Sequence, residues 1–138
     1  MFIMFIGVVV AGGSAACTSS PSAASSTPAA PATITESFSG GFNQLGNAAF
    51  PFTVTATGPV QVSLTAVAPL STMALGIDIG HWDGTTCTIG VAENDHAKSG
   101  VTALTGTATS GTYCVQVSDS GNVPPGSMVT FTVQVIHS

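Results

Sequence analysis

Val129-Thr-Phe-Thr-Val-Gln-Val135 alternates apolar and polar side chains without a break. A period of two puts Val129, Phe131, Val133 and Val135 on one face of a strand, with Thr130, Thr132 and Gln134 on the other. A helix would scatter the same apolar residues around its circumference, so the stretch reads as a β-strand with one buried face. The alternation recurs along the chain before it. Tyr113, Val115 and Val117 stand opposite Cys114, Gln116 and Ser118, and Leu75, Ile77 and Ile79 opposite Gly76, Asp78 and Gly80. Val60, Val62, Leu64 and Ala66 point one way, with Gln61, Ser63 and Thr65 opposed. Phe50, Phe52, Val54 and Ala56 share a face, as do Phe38, Gly40 and Phe42, while Thr88 to Ala92 and Val101 to Gly106 are weaker segments.

Turn residues separate these segments at Gly58-Pro59, Asp83-Gly84, Ser99-Gly100, Ser110-Gly111 and Ser120-Gly121-Asn122. About eight short strands, each with one apolar face and none with a helical period, predict an all-β domain over 34–138. Its architecture is expected to be a two-sheet antiparallel β-sandwich, jelly-roll-like.

The residues before it have another character. Residues 2 to 10 are apolar without exception, and Ala11-Gly12-Gly13-Ser14-Ala15-Ala16 then leads into Cys17. An apolar run this short, followed by small residues, reads as a secretory signal rather than a membrane span. Ser14-Ala15-Ala16-Cys17 resembles a lipobox, the motif at which bacterial lipoproteins are cut before a cysteine that becomes acylated. The resemblance implies a signal peptide over 1–16, lipidation at Cys17 and anchoring of the exported chain to the bacterial cell envelope. The alternative is ordinary cleavage after Ala16. Position 14 is Ser where such motifs usually carry Leu, and no Lys or Arg precedes the apolar run. Within 17–33, every residue after Cys17 is Ser, Thr, Ala or Pro, too little apolar bulk to fold, and the segment reads as a disordered tether.

Three cysteines are present. If Cys17 carries lipid, Cys87 and Cys114 remain, and in an oxidising compartment they are expected to pair. The loop from Cys87 through Cys114 spans 28 residues, for which the chain-entropy estimate is ~3.6 kcal/mol. Cys114 falls on the face opposite Tyr113, Val115 and Val117. The bond therefore crosses the sheet exterior or clamps the Trp82-to-Cys87 loop, and the Asp83-Gly84-Thr85-Thr86 turn favours the clamp.

Lys98 is the one base, set against Glu36, Asp78, Asp83, Glu93, Asp95 and Asp119, for a net charge of −5. Without a basic footprint to neutralise phosphates, nucleic acid is excluded as a partner, and an anionic membrane surface is disfavoured electrostatically.

Phe52-Thr-Val-Thr-Ala-Thr-Gly-Pro-Val-Gln-Val-Ser-Leu-Thr-Ala66, Leu75-Gly-Ile-Asp-Ile-Gly-His-Trp-Asp-Gly-Thr-Thr-Cys87, Gly111-Thr-Tyr-Cys-Val-Gln-Val-Ser-Asp-Ser-Gly-Asn122 and the closing strand together resemble the bacterial pre-peptidase C-terminal domain. The resemblance covers most of 36–136. It implies a jelly-roll accessory module of the kind that flanks secreted proteases, here without a catalytic partner domain. Some relatives hold calcium through an acidic N-terminal segment, but Glu36 is the only acid before Asp78, so that site does not carry over.

Chemistry is sparse. His137 reads as a solvated tail, His81 as a core-edge residue beside Trp82, and His96 as part of a polar loop, Glu93-Asn94-Asp95-His96. No Gly-x-Ser-x-Gly elbow, phosphate-cradling glycine loop or zinc spacing occurs. The acids lie mostly at turns, where local hydrogen bonding favours them. Asp83, Glu93, Asn94 and Asp95 are hard oxygen donors and the best calcium candidates, although they adjoin opposite ends of one strand. Trp82 and Tyr113 are the only aromatics suited to a sugar platform. An exposed Trp82 would favour a polysaccharide ligand, and a buried one a protein contact or a structural role. The expectation is a non-catalytic, lipid-anchored module contacting a protein or glycan, with a self-associating envelope protein as the alternative.

Overall fold

The computed structural model describes residues 23–138. The signal peptide and Cys17 assigned from sequence lie outside the described residues. Eight strands follow one another: β1 (Ile34–Asn43), β2 (Asn47–Val54), β3 (Gly58–Ala68), β4 (Leu75–Trp82), β5 (Cys87–Ala97), β6 (Val101–Ala108), β7 (Gly111–Ser118) and β8 (Met128–His137). They form two four-stranded antiparallel sheets, ordered β1-β8-β3-β6 and β2-β7-β4-β5. Every connection crosses between the sheets except the β4–β5 hairpin, which is the winding of a jelly roll.

The alternating residues meet between the sheets. Val62, Leu64, Val129, Val133 and Val135 of one sheet and Val54, Leu75, Ile77, Val115 and Val117 of the other are excluded from solvent. The two lateral sides of the sandwich close differently. Along β1 and β2 the Phe38 and Phe50 rings stack at 5.2 Å, and Phe50 meets Phe131 edge-on at 6.1 Å. Along β5 and β6 no ring fills the gap. Asn94 Nδ2 donates instead to the Ala103 carbonyl at 2.9 Å and fastens the two edges at one point.

Several sequence expectations need correction. Glu93-Asn94-Asp95-His96 belongs to β5 and is not a loop: Asp78 pairs with Glu93 and Ile77 with Asn94. An edge strand carries polar side chains on both faces, so alternation does not betray it. Gly58-Pro59 opens β3 opposite Ala108 and Thr107 instead of forming a turn. Ala66 is exposed, because a register shift between Leu64 and Ala66 passes the inward position to Val67. His137 is no tail. It continues the β8 parity inward, is 1% exposed, packs 5.2 Å from the Phe52 ring and shares a 2.8 Å hydrogen bond with Glu36.

The expected disulfide is present, with Cys87 and Cys114 bridged across a Cα separation of 5.7 Å. Strands two apart in a flat sheet would lie nearly 10 Å from each other, roughly twice the interstrand spacing. Here β4 stands between β5 and β7, and the start of β5 folds over it. Gly80 of β4 makes this approach feasible: a Cβ there would run into the Thr88 carbonyl. The bond both clamps the turn and crosses the outer face of the sheet, leaving Cys114 fully buried away from the core.

Candidate functional site

The residues singled out for calcium do not converge. Asp83 Oδ1 accepts the Thr85 and Thr86 amides at 2.9 and 2.7 Å and so caps its own turn, at the Cys87 end of β5. These hydrogen bonds, the one from Thr85 foremost, hold its carboxyl below the usual range. Glu93 and Asp95 project from the outer face toward Asp78. Asn94 faces the opposite way, reaches Ala103 and accepts the His96 amide at 2.9 Å. Among the described residues no group of three or more His, Cys, Asp or Glu side chains is arranged to hold a metal ion. Burial first, then Asp95 and Glu93, raises the Asp78 carboxyl above its ordinary value.

Trp82 ends β4 opposite Cys87 and is half-buried, at the end of a strand and not on a loop. His81 is exposed, with its ring 5.1 Å from Tyr113. The Tyr113 hydroxyl donates to the Thr109 carbonyl at 3.1 Å. His96 is exposed on β5. None of the three histidines hydrogen-bonds a serine hydroxyl.

The feature that sequence reading missed is the gap between β5 and β6. It holds a cleft of about 230 Å³, floored by Phe52, Val60, Val62, Ile79 and Tyr113. Val91 and Ala92 of β5 form one wall, and Leu104 through Ala108 of β6 the other. No Asp, Glu, Lys or His lines it. The void has a local cause. Leu104, Gly106 and Ala108 are the inward positions of β6, and a Cβ added at Gly106 would find nothing within 4 Å. The neighbouring strand β3 fills the facing positions with Val60, Val62 and Leu64. Opposite it, β5 bulges: Ile79 pairs with Ala92 and Gly80 with Ile89, which leaves Gly90 and Val91 over. Gly90 takes a φ of +124°, a conformation glycine adopts without strain, and Val91 remains 49% exposed at the cleft wall. The signal was present in the sequence as Gly and Ala at consecutive inward positions of a weak strand.

No family model matches this chain, and no curated protein or solved structure shows significant similarity to it.

Proposed function

We propose that the chain is an exported, lipid-anchored, non-catalytic binding or accessory module of the bacterial cell envelope, akin to a pre-peptidase C-terminal domain, that holds a protein partner at the β5–β6 cleft. The observation carrying this reading is the cleft itself. It is a largely apolar recess open between two sheet edges, with no Asp, Glu, Lys, His, Cys or Ser in its lining. The disulfide agrees with an oxidising compartment and with Cys17 as the cysteine left for lipid.

Lipidation and export are tested together. In a bacterial host, the mature chain is expected in the detergent phase with acyl mass on residue 17, and Cys17→Ala is expected to release it or stall its processing. Three acyl chains at ~0.8 kcal/mol per buried methylene would make the anchor effectively permanent. A mature N-terminus bearing an unmodified Cys17 would overturn the anchor.

A further inference from the structure

We infer that the outer edge of β6, with the cleft beneath it, is a strand-addition site for an extended, neutral-to-basic polypeptide segment that places one large apolar side chain opposite Gly106. The inference rests on the binding-module reading and specifies how the partner is held.

The pairing of β3 with β6 identifies the free backbone groups. Pro59 stands opposite Thr107 and has no N–H to give, so theirs is a non-hydrogen-bonded pair. By alternation Gln61 and Thr105 form another, while the pairs made by Gly58, Val60 and Val62 carry the ladder. The N–H and C=O groups of Thr105 and Thr107 therefore point away from β3. No strand pairs with that edge among the described residues. Two donors and two acceptors spaced two residues apart are the pattern that an added strand satisfies. The residue of such a strand facing Gly106 would sit in a close, non-hydrogen-bonded pair, with its side chain dropping into the cleft toward Ile79 and Tyr113.

The other sheet edges are guarded. The phenylalanine stack seals the sandwich between β1 and β2, and Pro51, paired with Cys114, removes an N–H from the outer edge of β2. The edge of β5 is broken by its bulge. Charge complementarity selects the ligand further. The chain carries −5 overall with Lys98 as its one base, and the cleft itself holds no charge to meet an acid.

The probe is a capped heptapeptide, Lys-Thr-Thr-Phe-Thr-Thr-Lys, titrated into the isotopically labelled full chain with amide exchange followed by NMR. The Thr105 and Thr107 amides are expected to exchange fast in the free protein and at least ten-fold slower with peptide bound. Replacing the Phe by Gly, or N-methylating the residues flanking it, should weaken binding at least ten-fold. Gly106→Val should fill the recess and do the same. Thr107→Pro, which removes an outward N–H and leaves the bonds to β3, provides a second test if the valine disturbs folding. Absence of binding, unchanged exchange at Thr105 and Thr107, or equal affinity for the N-methylated peptide would each overturn strand addition. A chain acylated at Cys17 that ignores the peptide would lose this site and keep the anchored-module reading.

Discussion

Leu45 holds φ at 61° in the β1–β2 turn while its side chain is 84% exposed. The left-handed conformation costs a non-glycine residue about 1–2 kcal/mol, and here no packing offsets it. The Leu45 amide is instead held at 2.9 Å by Asp119 Oδ2, whose companion Oδ1 accepts the amides of Gly121, Asn122 and Val123. Partial burial raises the Asp119 carboxyl, but these four hydrogen bonds outweigh it and lower its pKa. Leu45→Gly is expected to raise the unfolding free energy by up to ~1 kcal/mol, and Asp119→Ala to cost on the order of 2 kcal/mol by freeing both loops. The carboxyls also fix the pH response. Asp83 and Asp119, held low in the fold, contribute stability above the unfolded carboxylate range that is lost as pH falls through their depressed values. Asp78 acts in reverse: raised in the fold, it destabilises when charged and ceases to as pH falls through its raised value. Asp78→Asn should therefore stabilise at pH 7, and urea titrations at successively lower pH should show that gain shrinking. A gain that grows in acid would contradict the assignment.

At the scale of the strand, the disulfide and Gly80 are one device. Cys87 reaches Cys114 because the start of β5 can lie against a residue without a side chain. Replacing both cysteines by serine should cost ~3.6 kcal/mol, the entropy of the closed loop. Gly80→Ala should cost ~1–3 kcal/mol by overpacking and expose thiols that react with a maleimide in the unreduced protein. Strands were legible in the sequence wherever one face is core and the other is not, as in Val129 to Val135. They were not legible where a strand runs along an edge. Asn94 fills an inward position with an amide because it must bridge to Ala103, and the alternation disappears there. Gly58-Pro59 misled because proline is usually excluded from sheet interiors. Here its nitrogen lies where no ladder bond is required. The Leu64–Ala66 shift is invisible without its partner strand, since a bulge inverts parity at no cost in composition.

The molecule as a whole is a jelly roll sealed by aromatics on one side and left open on the other. The fold and the disulfide followed from local pattern, because alternation and cysteine pairing are short-range or countable. The cleft did not, because it is made by what two strands lack: a side chain at Gly106 and a regular edge at Gly90-Val91. Its residues come from six strands, β2 through β7, so only their assembly reveals a recess. We propose that this opening is the working surface of an anchored module. It is tested most directly by cross-linking capture from native envelopes, with wild-type and Gly106→Val chains quantified side by side and their folding matched by denaturation midpoint. A protein retained by the wild type and lost from Gly106→Val is the predicted result. The same protein captured in equal yield by both would contradict it.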